Sequence, residues 1–381
     1  MSLGLSLHTH ARIEGVERVE ILKVLTPDEA AGSHLGQEDI LLWREGPQLA
    51  REGRRRLRID DLRDAQVVAP GDVVRLRPGS SLVSVLYRRG ASANTLFATE
   101  RCNSLCLMCS QPPREEDDSW RVDELLRQVS LVDLDEAQLG VTGGEPTLLG
   151  EGLARVLDAC RRHLPNTHVP VLTNGRTFKD RALAERLQGA HPQGVTWAVP
   201  LYADVAQIHD VVVAADGAFE ETLQGLYELG RLGARIELRV VLHKMTTPRL
   251  AQLAAFIYRR LPFVAHVALM GLEPMGLAKV NRDQLWIDPL DYVEPLRAAV
   301  FHLHHRGLPV SIYNLPLCVL PRELWPFARQ SISGWKNVFA ADCAGCVVQD
   351  HCAGFFASAG PAWRSRGVRP VRIEEFAREL A

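Results

Sequence analysis

From residue 94 to about residue 305, short apolar runs alternate with stripes of helical period, and no other feature of the sequence limits the fold as much. The candidate strands are Asn94–Ala98, Gln138–Thr142, Val169–Thr173, Val195–Leu201, Ile236–Leu242 and Val264–Met270. Between and after them, Phe219, Leu223, Leu226 and Gly230 share one helical face. Leu250, Leu253, Ile257 and Leu261 share a second, and Val293, Leu296, Val300 and Leu303 a third. Spacings of three and four residues put such side chains on one side of a helix, where they pack as core. Strands alternating with helices build a parallel sheet with right-handed crossovers. Six such units close only part of a circle. The expected fold is therefore α/β, a partial (β/α)6 TIM-type barrel. In α/β barrels the chemistry sits on the loops that follow the strands.

The flanks read differently. Residues 1–90 carry short alternations such as Val73-Val74-Arg75-Leu76-Arg77, then Pro78-Gly79-Ser80-Ser81, then Leu82 to Tyr87. Two strands around a tight turn follow from that pattern, so a β-rich N-terminal domain is expected. Residues 51–90 hold ten arginines against five acids. A run of this kind is a solvated face or a docking surface for an acidic peptide. The barrel is expected over 91–308. Residues 309–381 form a loop-rich, cysteine-rich extension containing Trp325, Trp335, Phe355 and Phe356, with Val310–Tyr313 as one further candidate strand.

The 381 residues are 46% hydrophobic and 24% charged, which excludes a disordered or collagen-like chain. Forty-four basic against 46 acidic residues leave a net charge of −2, so no overall field draws nucleic acid or an anionic membrane. No window reaches the roughly 18 continuous apolar residues of a membrane helix. Met1 to Arg18 lack a basic start followed by an apolar core, so a cytoplasmic location is expected. Disulfides are rare there, and clustered cysteines read first as metal ligands. G-x-S-x-G, P-loop and H-E-x-x-H patterns are missing, so hydrolase and NTPase readings have no support.

Three of the eight cysteines, Cys102, Cys106 and Cys109, lie on the loop after the first strand in C-x3-C-x2-C spacing. Three thiolates on one short loop can hold three irons of a [4Fe–4S] cube and leave the fourth open to a small molecule. A zinc loop borrowing a distant fourth ligand is the alternative, although zinc sites favour paired C-x2-C spacing. Gly143-Gly144-Glu145-Pro146 follows the second strand. Two glycines let backbone approach a ligand closely. Their carbonyls and the Glu145 carboxylate can accept hydrogen bonds from an ammonium group.

This spacing, with the G-G-E-P segment downstream, resembles the signature of the radical S-adenosylmethionine (SAM) superfamily. The resemblance implies that Cys102, Cys106 and Cys109 ligate a [4Fe–4S] cluster whose open iron is chelated by SAM. One electron, drawn ultimately from an external donor, then cleaves SAM to methionine and a 5′-deoxyadenosyl radical that takes hydrogen from the substrate. It further implies that Gly143, Gly144 and Glu145 line the SAM amine. Asn174, in Thr173-Asn174-Gly175, would contact ribose or methionine, and Arg239 on the fifth strand would meet the SAM carboxylate. A turn role is the alternative for Asn174, and a barrel ion pair for Arg239.

Cys318, Cys343, Cys346 and Cys352 can close a complete shell around a second metal site. Composition leaves zinc and an iron–sulfur cluster both open. Radical SAM enzymes that modify peptides often carry a C-terminal auxiliary cluster with similar C-x2-C-x5-C spacing, so the resemblance implies a second [4Fe–4S] cluster, with zinc as the alternative. Cys160 pairs with neither group and reads as a small buried apolar residue.

Longer segments narrow the resemblance. They include Asn94 to Cys102, Leu107 to Pro113, Pro200-Leu201-Tyr202 with His209-Asp210, Ala268 to Glu273, and Gln330-Ser331-Ile332-Ser333-Gly334-Trp335-Lys336-Asn337. Over about residues 90–360 the chain is similar to the C-type radical SAM maturase of the His-Xaa-Ser peptide system. That similarity implies a ribosomally made peptide or protein substrate with His-Xaa-Ser repeats and a second radical SAM maturase as partner. Tyr202 and Glu273, at strand ends, are candidates to face substrate. His209 and Asp210 suit either acid–base work or a hydrogen bond at a helix start or the barrel rim. Glu115-Glu116-Asp117-Asp118 reads as a solvated loop. The alternatives are a radical SAM enzyme acting on a small molecule and a non-catalytic iron–sulfur partner of another maturase.

Overall fold

The computed structural model describes residues 7–44, 48–51, 56–331 and 336–373. Ile332 to Trp335, part of one segment singled out above, lie outside the described residues.

The alternation folds into one parallel sheet. Its strands are β1 (Asn94–Phe97), β2 (Leu139–Thr142), β3 (Val169–Leu172), β4 (Val195–Pro200), β5 (Arg235–Leu242), β6 (His266–Gly271), β7 (Val310–Tyr313) and β8 (Ala328–Arg329), each beside its predecessor. The main helices are α1 (Arg121–Val129), α2 (Glu151–His163), α3 (Arg181–Ala190), α4 (Ala206–Val213), α5 (Ala218–Arg231), α6 (Leu250–Arg260) and α7 (Val293–His304). The six expected strands are β1 to β6, and the sheet continues past residue 308 into β7 and the two-residue β8. β1 and β8 end the strand order, so the barrel is open between them. The helical stripes lie in the core: Leu226, Leu253, Ile257, Leu296 and Val300 are all buried. Cys160 is buried on α2, as a core residue would be.

Along β5 burial alternates. Ile236, Leu238, Val240 and Leu242 pack against helices, while Arg235, Glu237, Arg239 and Val241 take the other face, toward the lumen. Period-two alternation on a central strand means that the lumen side is polar.

Among the described residues the N-terminal sheet has eight strands and a core of its own, including Leu22, Leu41, Leu49, Leu57, Ile59 and Leu76. Its end strands, His8–His10 and Arg12–Glu14, are separated in the chain by Ala11 alone, so the start of the chain supplies both edges. The expected hairpin is present as Val73–Leu76 paired with Leu82–Tyr87.

The arginine-rich stretch is neither a free face nor a docking surface at two of its arginines. Arg75 pairs with Glu124 of α1 at 3.1 Å, and Arg89 reaches Asp133 at 2.8 Å. Asp133 also takes Lys23 at 3.0 Å and the Tyr87 hydroxyl at 3.1 Å. These groups fasten the N-terminal domain to the barrel, where Ile21, Val73 and Tyr87 join the main core. No described helix is long and apolar enough to cross a membrane.

Candidate functional site

The loop carrying Cys102, Cys106 and Cys109 leaves the C-terminal end of β1, and neighbouring strand ends hold it from three sides. On the first side is the Gly143-Gly144 turn after β2. Gly144 N–H donates to Thr99 O, and Glu145 N–H to Arg101 O, both at 2.7 Å. A Cβ on Gly144 would lie 2.2 Å from Arg101 O, so only glycine allows this approach.

On the second side is the turn after β3. Asn174 Nδ2 lies 3.9 Å from Cys102 Sγ and 3.5 Å from Ser104 Oγ. Arg176 Nη1 donates to Ser104 Oγ at 3.0 Å and also to Asn103 O, while its Nε pairs with Glu221 at 2.7 Å. On the third side are α4 and the turn after β6. Leu105 N–H donates to Val213 O at 3.0 Å, and Leu107 N–H to Val212 O at 2.9 Å. Asn281 Nδ2 donates to Leu107 O at 2.9 Å, and Leu277 N–H to Cys109 O at 2.8 Å.

Asp118 anchors the root of the loop. It accepts from Thr99 Oγ1 at 3.0 Å and from Glu100 N–H at 2.6 Å, with Arg101 Nε at 3.3 Å. It is only 2% exposed, so it departs from the solvated loop expected for Glu115 to Asp118. Its three neighbours on the acidic side are exposed.

Glu145 also turns inward. Its carboxylate is fully buried and accepts from Thr147 N–H at 3.0 Å, Thr173 Oγ1 at 2.7 Å and Asn174 N–H at 2.5 Å, as well as from Thr147 Oγ1. Burial pushes its carboxyl up, against the pull of these donors. The side chain thus ties β2 to β3.

Residues 96–257 match the radical SAM superfamily. This stretch is a radical SAM domain. It runs from β1 into α6 and contains all three cysteines of the β1 loop. Among solved structures, the chain resembles SuiB of Streptococcus suis bound to S-adenosylmethionine, with 15% identity and a TM-score of 0.46. That match covers 60% of this chain and 50% of SuiB. It also resembles anSMEcpe with bound AdoMet and the Cp18Cys peptide, with 16% identity, a TM-score of 0.44, and 58% of this chain and 62% of that one covered. A radical SAM methyltransferase from Sphaerobacter thermophilus shares 15% identity at a TM-score of 0.43, over 69% of this chain and 74% of that one. The chain thus spans half the length of SuiB and about three-fifths of anSMEcpe. No curated protein matches it.

A radical SAM domain implies a [4Fe–4S] cluster and SAM, and the thiols of the β1 loop fit a cluster. The Cys102 thiol is pushed up to about 11 and the Cys106 thiol up to about 12, chiefly by burial, with the nearness of Cys109 contributing to both. Soft thiols crowded on one short loop suit an iron–sulfur cube, which spreads its ligands over separate irons. Among the described residues no three His, Cys, Asp or Glu side chains converge on a single ion.

The four C-terminal cysteines are also brought together. Burial raises the Cys318 thiol, and so do Cys352, Cys343 and Cys346 beside it. Backbone N–H groups point at two of the sulfurs: Leu317 and Gly354 at Cys352, at 3.3 and 3.4 Å, and Val371 at Cys346, at 3.4 Å. Such donors stabilise thiolates.

Other expected residues take structural positions. Tyr202 is buried under the β1 loop beside Met108, and its N–H donates to His209 Nδ1 at 3.3 Å, so it is packed in rather than facing a substrate. His209 is buried and neutral, its pKa pushed down to about 4 by burial. Asp210 accepts from Gly217 N–H at 2.8 Å and Phe219 N–H at 2.7 Å, at the start of α5. The helix-start alternative describes Asp210, and acid–base work has no support there. Glu273 pairs with Lys336 of the extension at 3.2 Å. Arg239 lies 3.1 Å from Glu237. Sequence reasoning missed Arg176 and Asp118. Arg176 follows Thr173-Asn174-Gly175 directly, and that adjacency was its only signal.

Proposed function

We propose that this chain uses its radical SAM domain to modify a ribosomally made peptide or protein, of His-Xaa-Ser repeat type. The observation that carries the radical chemistry is the β1 loop, with three crowded thiols held by the Gly143-Gly144 turn. In this reading Cys102, Cys106 and Cys109 ligate the [4Fe–4S] cluster, and the backbone carbonyls of Gly143 and Gly144 receive the SAM amine. Asn174, beside Cys102, contacts the ribose or methionine of SAM, and Arg239 meets the SAM carboxylate. When bound, the cluster and SAM supply a 5′-deoxyadenosyl radical for hydrogen abstraction. The protein's part is to orient one substrate hydrogen and to exclude water. Cys318, Cys343, Cys346 and Cys352 hold a second [4Fe–4S] cluster, with the N–H···S contacts in its support. The peptide substrate rests on the segments from Asn94 to Asn337, and SuiB and anSMEcpe are the neighbours it resembles. A second radical SAM maturase and an external one-electron donor complete the system, which we assign to the cytoplasm.

The test is anaerobic. The protein is reconstituted with iron and sulfide, reduced with dithionite and given SAM, and 5′-deoxyadenosine is measured. Product is expected from the native chain and none from Cys106→Ala. A fully loaded native protein that makes none would end the enzyme reading. Mass spectrometry of a co-expressed His-Xaa-Ser peptide then reads the modification.

A further inference from the structure

The interior of an α/β barrel is ordinarily packed with branched apolar side chains. Here the lumen side of β5 to β7 carries Glu237, Arg239, His266 and Ser311 in one connected row. Arg239 Nε lies 3.1 Å from Glu237 Oε1, an ion pair. The other carboxylate oxygen, Oε2, lies 3.0 Å from His266 Nδ1, and His266 Nε2 lies 3.0 Å from Ser311 Oγ. Backbone register explains the row. Glu237 is the neighbour of His266 across β5 and β6, while Arg239, Ala268 and Ser311 stand side by side on β5, β6 and β7. Burial alone would push the Glu237 carboxyl up, but His266 and Arg239 outweigh it and hold it below the usual carboxylate range. Half-buried charges are costly unless paired, and here Arg239 and His266 both pair with Glu237.

We propose that Glu237 is a positioning residue, held by His266 and Ser311, that fixes the Arg239 guanidinium as the arm taking the SAM carboxylate. The proposal rests on the radical SAM reading and adds three residues to it. A guanidinium on a long flexible stem binds a carboxylate well only when its plane is already set, and a carboxylate behind it does that without contacting the ligand. Glu237→Gln removes the charge that holds Arg239 and keeps the shape. Glu237→Asp keeps the charge and shortens the reach.

The experiment measures equilibrium binding of SAM and of its decarboxylated analogue, S-adenosyl-3-(methylthio)propylamine, to anaerobically reconstituted protein. Glu237→Gln should weaken SAM by roughly tenfold, the scale of one charge-assisted hydrogen bond, and leave the analogue nearly unchanged. Glu237→Asp should restore part of the loss. Ser311→Ala, at the far end of the row, should shift SAM in the same direction by a smaller factor. General structural damage would weaken both ligands together. Equal weakening of both, or unchanged SAM binding, in Glu237→Gln overturns the proposal. If that variant fails to fold, the same two outcomes in Ser311→Ala overturn it. A native protein with full iron content that binds neither ligand removes the radical SAM reading, and the proposal with it.

Discussion

The amide of Glu145 donates to the carbonyl oxygen of Arg101 at 2.7 Å, joining the turn after β2 to the residue just before Cys102. A Cβ on Gly144 would press on that same oxygen from 2.2 Å. The obstacle is backbone, so no rotamer relieves it. Gly144→Ala must therefore displace the start of the cysteine loop. The variant should fold, because the strands and helices of the core are untouched. It should load markedly less iron at the β1 loop than the native chain, as read by iron content and the cluster's visible absorption in a background lacking Cys343, Cys346 and Cys352. Native loading would show that the loop tolerates the shift.

Asp118 joins Thr99, Glu100 and Arg101 across 17 to 19 positions of sequence. Asp118→Ala leaves a buried hydroxyl and a half-buried N–H without their acceptor. The expected destabilisation is about 2 kcal/mol, from the cost of unsatisfied buried donors. Urea unfolding of the apo protein measures it. A variant such as Glu116→Ala, in the exposed part of the same acidic run, should change stability by less than about 0.5 kcal/mol.

These two residues also show what the sequence could tell. The six strands were legible because each is an apolar run with helical stripes between, and β7 was visible for the same reason. β8 was not, since two residues carry no period. The acidic run reads as uniform in sequence, yet Asp118 folds under the loop and its neighbours stay in water. Only the approach of β1 to α1 makes that distinction. Arg176 was missed because its partners, Asn103 and Ser104, are more than 70 positions away. Tyr202 was placed at a strand end correctly, but sequence gives no warning that the β1 loop closes over it. Glu145 belongs to a recognisable motif whose residue type is informative, while the direction of its side chain follows from Thr147, Thr173 and Asn174.

Two buried histidines set a dependence of stability on pH. Burial lowers the pKa of His209 to about 4 and that of His243 to about 3, from an ordinary value of 6.5. The unfolded chain therefore binds protons at these sites before the folded chain does. Their contribution is complete above pH 6.5 and is lost as pH falls toward 4. Thermal midpoints of the apo protein should drop steadily across that window. His209→Gln should be less stable at pH 8, because it disturbs the Tyr202 contact, but its midpoint should fall less steeply on acidification. Parallel curves for variant and native protein would assign the acid sensitivity elsewhere.

The cysteines give a prediction on proton release and metal count. The Cys102 and Cys106 thiols, pushed up to about 11 and 12, are protonated in the apo protein at neutral pH, and burial raises Cys109 in the same direction. Ligation requires thiolates, so cluster assembly must expel these protons and is favoured by rising pH. Loading of the native chain at limiting iron should therefore improve from pH 7 to pH 9. The same logic holds for Cys318 and Cys352, whose thiols burial also raises. Metal identity then follows from counting. Two cubes require about eight irons per chain, whereas one cube with a four-cysteine zinc site requires about four irons and one zinc. Cys352→Ser separates the sites, because its sulfur accepts two backbone N–H groups in the extension and lies far in sequence from the β1 loop. It should halve the iron and leave SAM-dependent spectral changes of the remaining cluster in place. An iron count near four with one zinc in the native protein, and the same iron with no zinc in the variant, would replace the second cluster with a zinc site.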